Sequence, residues 1–384
     1  MKPFKKLSGL LVLSNKVKSL SDKLDLVSIE YQSICEAHEG IHTRHKRTEL
    51  FPEKVDVITQ LHKPILIGEK SGDTIEPYYI EWNGRYVNYD PGLCTPNKSG
   101  MTPDLVNPSW FTQTKLVIVR TGEEFTTAID YKNFYLSNNL FSSFYKKDCV
   151  CFVDYKYLCC LLNSTLLQKF LRLRIAPRFG KLYVETKIKH LKILPIRKIN
   201  FATPTDRRQQ ALQNAIVLYN QFQLDHDPDP LLVQINYHLD RQPEEADVIH
   251  DLLAHLAEQM IELNKQKQAE IKEFLQWLER FIGCPIDTLT NKSKIQNYLG
   301  DYYKKSAVIA DTENDTGTPH LSFNDLIELL KKNRKKITID PVARKEQQTL
   351  EEEYQASLKT LLPLKMQLMR CDRQGKRIQK YIFQ

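Results

Sequence analysis

The sequence predicts an α+β protein: a domain with a mixed β-sheet and packed helices, followed by an all-α region with a long, coiled-coil-like helix. Before residue 200, aromatic and β-branched runs alternate with turn residues, which is typical of strands. After residue 246, apolar residues recur at intervals of three and four, which is typical of an amphipathic helix. The chain has 384 residues and 41% hydrophobic content, enough to bury a core in two or three units.

Strands are predicted before residue 200. Two aromatic and β-branched runs, 78–82 and 85–89, flank Asn83-Gly84, a pair that favours a hairpin with a type I′ turn. Lys115–Arg120 and Phe125–Asp130 flank Thr121-Gly122 and predict a second strand pair. The proline-rich stretch 90–108 between these pairs is predicted to be a loop.

The helices follow. A stripe from Tyr157 to Phe170 predicts one helix packed on the sheet. Thr203-Pro204 predicts the start of a second helix that runs through Phe222, with Thr203 as the capping hydroxyl and Pro204 in the first turn. The longest helix is expected at about 247–282 and ends before Gly283. Ser322 and Asp325 form a capping-box pattern for a short helix, and 342–369 is also expected to be helical.

The charge distribution is uneven along the chain. The net charge is +8. Between Thr165 and Asn200, however, ten basic residues face only one acidic residue, Glu185, whereas 225–258 has nine acidic residues and one basic residue, Arg241. The first segment indicates a phosphate-binding surface. The second, broken by three prolines up to 243, predicts an acidic linker over 224–246.

Catalytic and metal-binding signatures in the sequence are weak or missing. There is no Pro-Pro dipeptide and no Gly-x-Gly in the sequence, so the target-amine loop and methyl-donor turn of an amino-methyltransferase are missing. The eight cysteines lack zinc-site spacing, and His42 and His45 have no third ligand. Glu185-Thr186-Lys187 supplies only half of a metal-dependent nuclease pattern. We therefore expect a binding protein without a metal site. With no signal peptide and no apolar run of about 18 residues, we expect it to be cytoplasmic and not membrane-bound.

Four stretches in order resemble the TaqI-like C-terminal specificity domain of adenine-specific DNA methyltransferases and type IIG restriction enzymes. Gly40–Arg44 resembles the family's Gly-Ile-x-Thr-Gly opening, with Arg44 where glycine is usual. Lys63–Gly68 is similar to its Lys-Pro-x-Leu-x-Gly strand, Leu161–Ser164 to its Leu-Leu-Asn-Ser helix, and Leu194–Ile196 to its Leu-Pro-Ile exit. The resemblance covers roughly residues 30–200.

The resemblance implies a DNA target-recognition domain at 30–223, preceded by an N-terminal remnant or linker at 1–29 and followed by the acidic linker and a helical region at 247–384. It implies binding of double-stranded DNA by loop and helix-exit side chains. The predicted DNA-binding residues are Arg44, Lys46, Arg47, Lys70, Arg120, Arg172, Arg174, Arg178, Lys181, Lys187 and Lys189.

In this family the methyltransferase domain lies upstream, whereas only 39 residues precede Gly40 here. Either a separate methyltransferase or endonuclease polypeptide supplies catalysis, with S-adenosylmethionine bound there and no cofactor in this chain, or the chain is a truncated or frame-shifted fragment. The end of the sequence, 374–384, also departs from the family pattern. Two alternatives remain open: a type I-like specificity or assembly subunit, and a stand-alone metal-dependent nuclease that uses Glu185 and Lys187.

Overall fold

A computed structural model describes residues 26–68, 74–122, 125–174, 184–300 and 320–381. The described residues form two compact units. One contains the residues up to Glu258 together with those from Gly375 onward, and the other contains those from Gln259 to Gln374. The α+β class is confirmed, because the strands lie in the N-terminal part and long helices follow. No helix among the described residues is both long enough and apolar enough to span a bilayer.

The first unit contains the strands. They are β1 (Ser28–Glu30), β2 (Cys35–Glu39), β3 (His62–Leu66), β4 (Thr74–Glu76), β5 (Tyr79–Glu81), β6 (Tyr86–Asn88), β7 (Lys115–Val119), β8 (Thr121–Gly122), β9 (Thr127–Asp130), β10 (Tyr135–Leu136), β11 (Leu140–Tyr145), β12 (Val184–Glu185) and β13 (Pro195–Arg197). An antiparallel sheet has the order β2-β11-β7-β9, and a mixed sheet has the order β10-β3-β6, in which β10 and β3 are parallel. Three further antiparallel pairs are β1-β13, β4-β5 and β8-β12.

The strand pair predicted around Thr121-Gly122 is confirmed, since β7 and β9 are antiparallel neighbours. A buried ion pair joins them at their ends. Lys115 Nζ lies 2.5 Å from Asp130 Oδ2, donates to the carbonyl oxygen of Phe111 at 2.8 Å, and both charged side chains are fully buried. Burial lowers the pKa of Lys115, and the neighbouring Asp130 carboxylate opposes that change. Because Asp130 also accepts the N–H of Lys132 and Phe134, its charge is satisfied on several sides.

The hairpin predicted around Asn83-Gly84 is wrong. β5 pairs with β4, whereas β6 pairs with β3. The tight turn lies earlier, at Pro77-Tyr78, where proline fixes the first position and Tyr78 adopts a left-handed φ of 70°. Trp82 Nε1 donates to the carbonyl oxygens of Ile65 and Arg85, so its tertiary contacts lie with β3. These contacts outweigh the local turn preference.

The single helix predicted over Tyr157–Phe170 is also wrong, because it is two helices: α2 (Tyr155–Leu162) and α3 (Thr165–Arg174). A short helix, α1 (Arg47–Leu50), precedes them. Asn163 ends α2 and binds β9: its Oδ1 accepts the N–H of Thr127 at 2.9 Å and its Nδ2 donates to the Thr127 carbonyl at 2.8 Å. Ser164 Oγ then accepts the N–H of Leu167 and caps α3. The Asn-Ser pair therefore ends α2, caps α3 and changes the direction of the chain between them.

The remaining helices of the first unit are α4 (Ile188–Lys192), α5 (Thr205–Asp225), α6 (Asp229–Leu239) and the start of α7 (Ala246–Ile282). The helix expected after Pro204 is confirmed as α5, but Thr203 does not cap it. Its N–H and Oγ1 both donate to the Asp247 carboxylate, at 2.9 and 2.6 Å. The segment expected as an acidic linker contains α6, and the proposed domain boundaries there stay a prediction.

The described residues of the second unit form helices and no strand. It contains α7 from Gln259, α8 (Lys292–Gln296), α9 (Phe323–Lys332) and α10 (Arg344–Tyr381) as far as Gln374. The long helix is confirmed, and its 37 residues span about 55 Å. Gly283, with φ of 74°, ends it. Ser322 Oγ accepts the Asp325 N–H, which confirms the predicted cap of α9, and α10 is longer than the 342–369 expected. The sequence also predicts a polar loop at 301–320, and residues 301–319 of it lie outside the described residues.

Candidate nucleic-acid interface

The first candidate element is the entry loop that follows β2. At its start, a Cβ on Gly40 would lie 2.3 Å from the carbonyl oxygens of Leu136 and Ser137, so only glycine fits. The next residue, Ile41, is fully buried and donates its N–H to the Leu136 carbonyl at 2.8 Å. These contacts hold the base of the loop against β10, and the chain beyond Thr43 turns outward.

The tip of the entry loop is Arg44. Its side chain is exposed, makes no ion pair with the described residues, and sits on backbone with a left-handed φ of 49°. This conformation favours glycine, which accounts for the glycine usual at this position in the family. Lys46 pairs with Glu49 at 3.2 Å, and Arg47 lies 5.8 Å from the centre of the Phe51 ring. Arg44 therefore projects without an acidic partner among the described residues, whereas Lys46 and Arg47 make the contacts named above.

The second candidate element is the exit segment at α4. Lys187 precedes the helix and Lys189 lies in its first turn; both are exposed and neither pairs with an acid among the described residues. Lys192, at the end of α4, is exposed as well. His190 Nδ1 accepts the Lys187 N–H at 3.1 Å, and burial together with the neighbouring lysines lowers the pKa of His190. Because its Nδ1 accepts a hydrogen bond, His190 is neutral and orients the backbone that carries the lysines.

A network of charges around Arg120 connects the two elements. The Arg120 guanidinium lies 2.9 Å from Glu185 Oε1 and 3.3 Å from Glu39 Oε2, and it donates to the Asn138 carbonyl. Glu39 also lies 3.1 Å from His42 Nε2. The Thr186 N–H donates to the Arg120 carbonyl at 2.8 Å. Glu39 leads into the entry loop and Glu185 leads into the exit segment, so one arginine positions both.

Arg120 is thus bound within the protein, and its predicted role as a direct DNA contact stays a prediction. Nothing in the sequence singles out Glu39 as its partner, because the two lie 81 positions apart. Glu185 lies 65 positions from Arg120, and the local pattern around it indicates a nuclease half-motif or a helix start. Only the pairing of β8 with β12 brings Glu185 opposite Thr121, next to Arg120.

The other predicted contacts are only partly placed. Arg172 and Arg174 belong to α3, but their side chains lie outside what the structure describes. Lys70, Arg178 and Lys181 lie outside the described residues altogether. Their roles in DNA binding remain predictions. Within the described part of the chain, no group of three or more His, Cys, Asp or Glu side chains is arranged to hold a metal ion.

Comparison with known families bears on the function of this part of the chain. Residues 64–196 match the family model of the TaqI-like C-terminal specificity domain. The resemblance to this specificity domain is therefore shown for residues 64–196. The match runs from β3 into β13 and includes Arg120, Asn163, Lys187 and Lys189. It supports a DNA-recognition module related to restriction–modification enzymes.

The entry loop with Arg44 precedes the matched range, and the specificity domain is joined to it through β2 and the Arg120 network. A second match covers residues 247–378 and belongs to a domain of unknown function, DUF8810. No curated protein matches the chain. The specificity domain is therefore the part of the chain from which a function can be argued.

Proposed function

We propose that the chain is the sequence-specific DNA-recognition module of a restriction–modification system and acts with an N6-adenine DNA methyltransferase or type IIG enzyme. The match of residues 64–196 to a specificity domain carries this proposal. The sequence adds that no Pro-Pro dipeptide or Gly-x-Gly element is present. Methyl transfer, and the S-adenosylmethionine that it consumes, would therefore belong to the catalytic partner.

Affinity would come from phosphate contacts. Lys187 and Lys189 are exposed, lack acidic partners among the described residues, and belong to a segment with ten basic residues and one acidic residue. Each lysine that neutralises a phosphate releases a condensed counterion, which makes binding strongly dependent on salt. Such contacts fix the position of a protein on the duplex but carry no sequence information.

Specificity would come from the loops. Arg44 projects from the tip of the entry loop, and an arginine can pair with both O6 and N7 of guanine in the major groove. The non-glycine residue at a left-handed position costs stability, and such strain is typical of functional positions. The Arg120 network would hold this loop and α4 in a fixed relation before DNA binds, which lowers the entropy cost of binding.

The test is a salt titration of DNA binding by the full chain. We expect binding of a random-sequence duplex, measured by fluorescence anisotropy, with a linear decrease of log affinity against log salt. The variant K187E/K189E should reduce the slope by about 2, because about 0.9 is expected for each lost phosphate contact. The matched control is K132E/K147E, which changes the same charge at two exposed lysines of the same unit.

Salt-insensitive binding, or no binding, would overturn the proposal. So would an equal loss of slope in the control variant. The target itself can be found by selecting bound duplexes from a random library, and co-expression with a methyltransferase followed by mapping of N6-methyladenine tests the assignment of the partner. If the selected site and the methylated site differ, the recognition role in methylation is wrong.

A further inference from the structure

A concentrated basic surface lies in the helical unit, outside the specificity domain. The end of α9 and the turn that follows it have five basic residues in the six positions from Lys331 to Lys336. Helix α8 adds Lys292 and Lys294. We call these residues the basic platform: Lys292, Lys294, Lys331, Lys332, Arg334, Lys335 and Lys336. All seven side chains are exposed.

The two halves of the basic platform are fixed to each other by a buried asparagine. Asn333, which is 2% exposed, accepts the Thr290 N–H at 2.8 Å and donates to the carbonyl oxygens of Thr290 and Leu329. Lys336 Nζ donates to the Thr288 carbonyl at 2.8 Å. These bonds hold the turn after α9 beside the segment that leads into α8. The platform is therefore preorganised, and a ligand would not have to order it.

The positive charge of the basic platform is only partly neutralised. Lys292 pairs with Asp287, Lys331 with Glu328, and Arg334 with Asp340, and these pairs are solvent-exposed. Lys294, Lys332 and Lys335 have no acidic partner among the described residues. Exposed pairs are weak, at roughly 0–1 kcal/mol, so the paired cations also remain available to an anion.

A purely structural role explains only part of the pattern. Cations in the last turn of a helix are stabilised by its dipole, which accounts for Lys331 and Lys332 at the end of α9. That effect is confined to the last turn. It does not account for Lys335, which lies beyond α9. Lys294 lies in the last turn of the short helix α8, where the same effect applies.

The surroundings of the basic platform favour a phosphate backbone over a membrane. A membrane-binding basic segment also presents an apolar face to the lipid. Here the apolar residues next to the lysines, Leu289, Ile295, Leu330 and Ile337, are all buried in the core of the helical unit. A cationic surface without exposed apolar residues is typical of proteins that bind the DNA backbone.

We propose that the basic platform is a second DNA-contacting surface, which binds backbone phosphates without regard to sequence. The proposal rests on the DNA-recognition function proposed above. It gives residues 259–374, all of which lie within the match to a domain of unknown function, a role in affinity: the specificity domain selects the site, and the platform adds phosphate contacts.

The experiment compares charge reversals in the full chain on a long random-sequence duplex over a series of salt concentrations. The variant K294E/K332E/K335E removes the three platform lysines that lack acidic partners. The control K265E/K272E/K359E makes the same charge change at three exposed lysines of the same unit outside the platform. K187E/K189E is titrated in parallel to report on the specificity domain.

We expect the platform variant to lose about 0.9 of slope for each phosphate contact removed, with an equal loss of affinity for the selected target and for random DNA. The control should retain the wild-type slope, and thermal melting should show that all variants are folded. A milder variant, K294Q/K332Q/K335Q, should show a smaller loss in the same direction.

Several results would overturn the proposal. A platform variant with the slope of its control, alongside a weakened K187E/K189E, would leave the recognition function standing and remove the platform. A loss of preference for the target, without loss of slope, would contradict sequence-independent contact. Sedimentation with vesicles containing phosphatidylserine that depends on the platform, with unchanged DNA binding, would assign the surface to lipid instead.

A weakened platform variant with an unchanged K187E/K189E would retain the platform and contradict the interface at α4.

Discussion

Both compact units have a buried apolar core, but the contacts that hold the elements around it differ. In the first unit, short strands are held in place by single polar residues, such as Asn163 on β9, Lys115 beside Asp130, and Arg120 between two carboxylates. In the second unit, long helices share one continuous apolar core, in which Phe274 lies 4.8 Å from Tyr298 and 5.8 Å from Tyr354 between ring centres. The difference teaches that the entry loop and the exit segment depend on a few directional contacts, whereas the basic platform lies on helices stabilised by buried apolar area.

The largest expected effect comes from the buried ion pair of the first unit. Lys115→Ala leaves the Asp130 carboxylate buried without its cation and should lower the free energy of unfolding by about 3–5 kcal/mol. Urea unfolding followed by tryptophan fluorescence measures the loss. The control is Lys146→Ala, which breaks an exposed pair with Asp148 and should cost less than about 1 kcal/mol. Equal losses in both variants would contradict the comparison.

The next effect concerns the apolar core of the second unit. Leu278 is fully buried there, and Leu278→Ala should cost about 2–5 kcal/mol, because it removes transfer free energy and leaves a cavity. Hydrogen exchange should accelerate at the amides of α8 and α9. Met366, which is 53% exposed on α10, supplies the control: Met366→Ala should change stability by less than about 0.5 kcal/mol. A small loss at Leu278 would show that this core is not the main stabilising feature.

The smallest expected effect separates stability from binding within the first unit. Arg44→Gly removes a side chain from left-handed backbone and should raise the free energy of unfolding by up to about 1 kcal/mol. The same variant should bind DNA more weakly, because it loses the cation at the loop tip. Arg44→Ala keeps the backbone strain and loses the charge, so it should bind weakly without gaining stability. If Arg44→Gly binds DNA as the wild type does, Arg44 is not a contact.

The sequence predicts the helical unit better than the sheet, for a physical reason. Helical periodicity is local, so the stripe of α7, its glycine stop and the Ser322 cap are all readable in the sequence. Strand pairing is not local. The runs on either side of Asn83-Gly84 have good strand composition, but they pair with β3 and β4, and the local turn signal gives no warning of this.

The candidate interface is predictable to a similar, limited degree. The basic character of Thr165–Asn200 and the exposed Lys187 and Lys189 follow from composition and helix position. The partners of Arg120 do not, because Glu39 and Glu185 are brought to it by two different strand contacts. Asn163 shows the same limit: as part of Leu-Leu-Asn-Ser it looks like an ordinary helix residue, yet its amide bonds to β9 and ends the helix.

The Arg120 network also has a consequence for protein engineering. Since a single guanidinium holds Glu39 before one loop and Glu185 before the other segment, the residues beyond these carboxylates can be exchanged as cassettes between related proteins. If the proposed function holds, a chimera that keeps Glu39, Arg120 and Glu185 should keep both segments in place and change only the bases that they contact. A chimera that lacks one of these carboxylates leaves Arg120 with a single acidic partner. The grafted loop is then expected to lose its orientation, whatever side chains it carries.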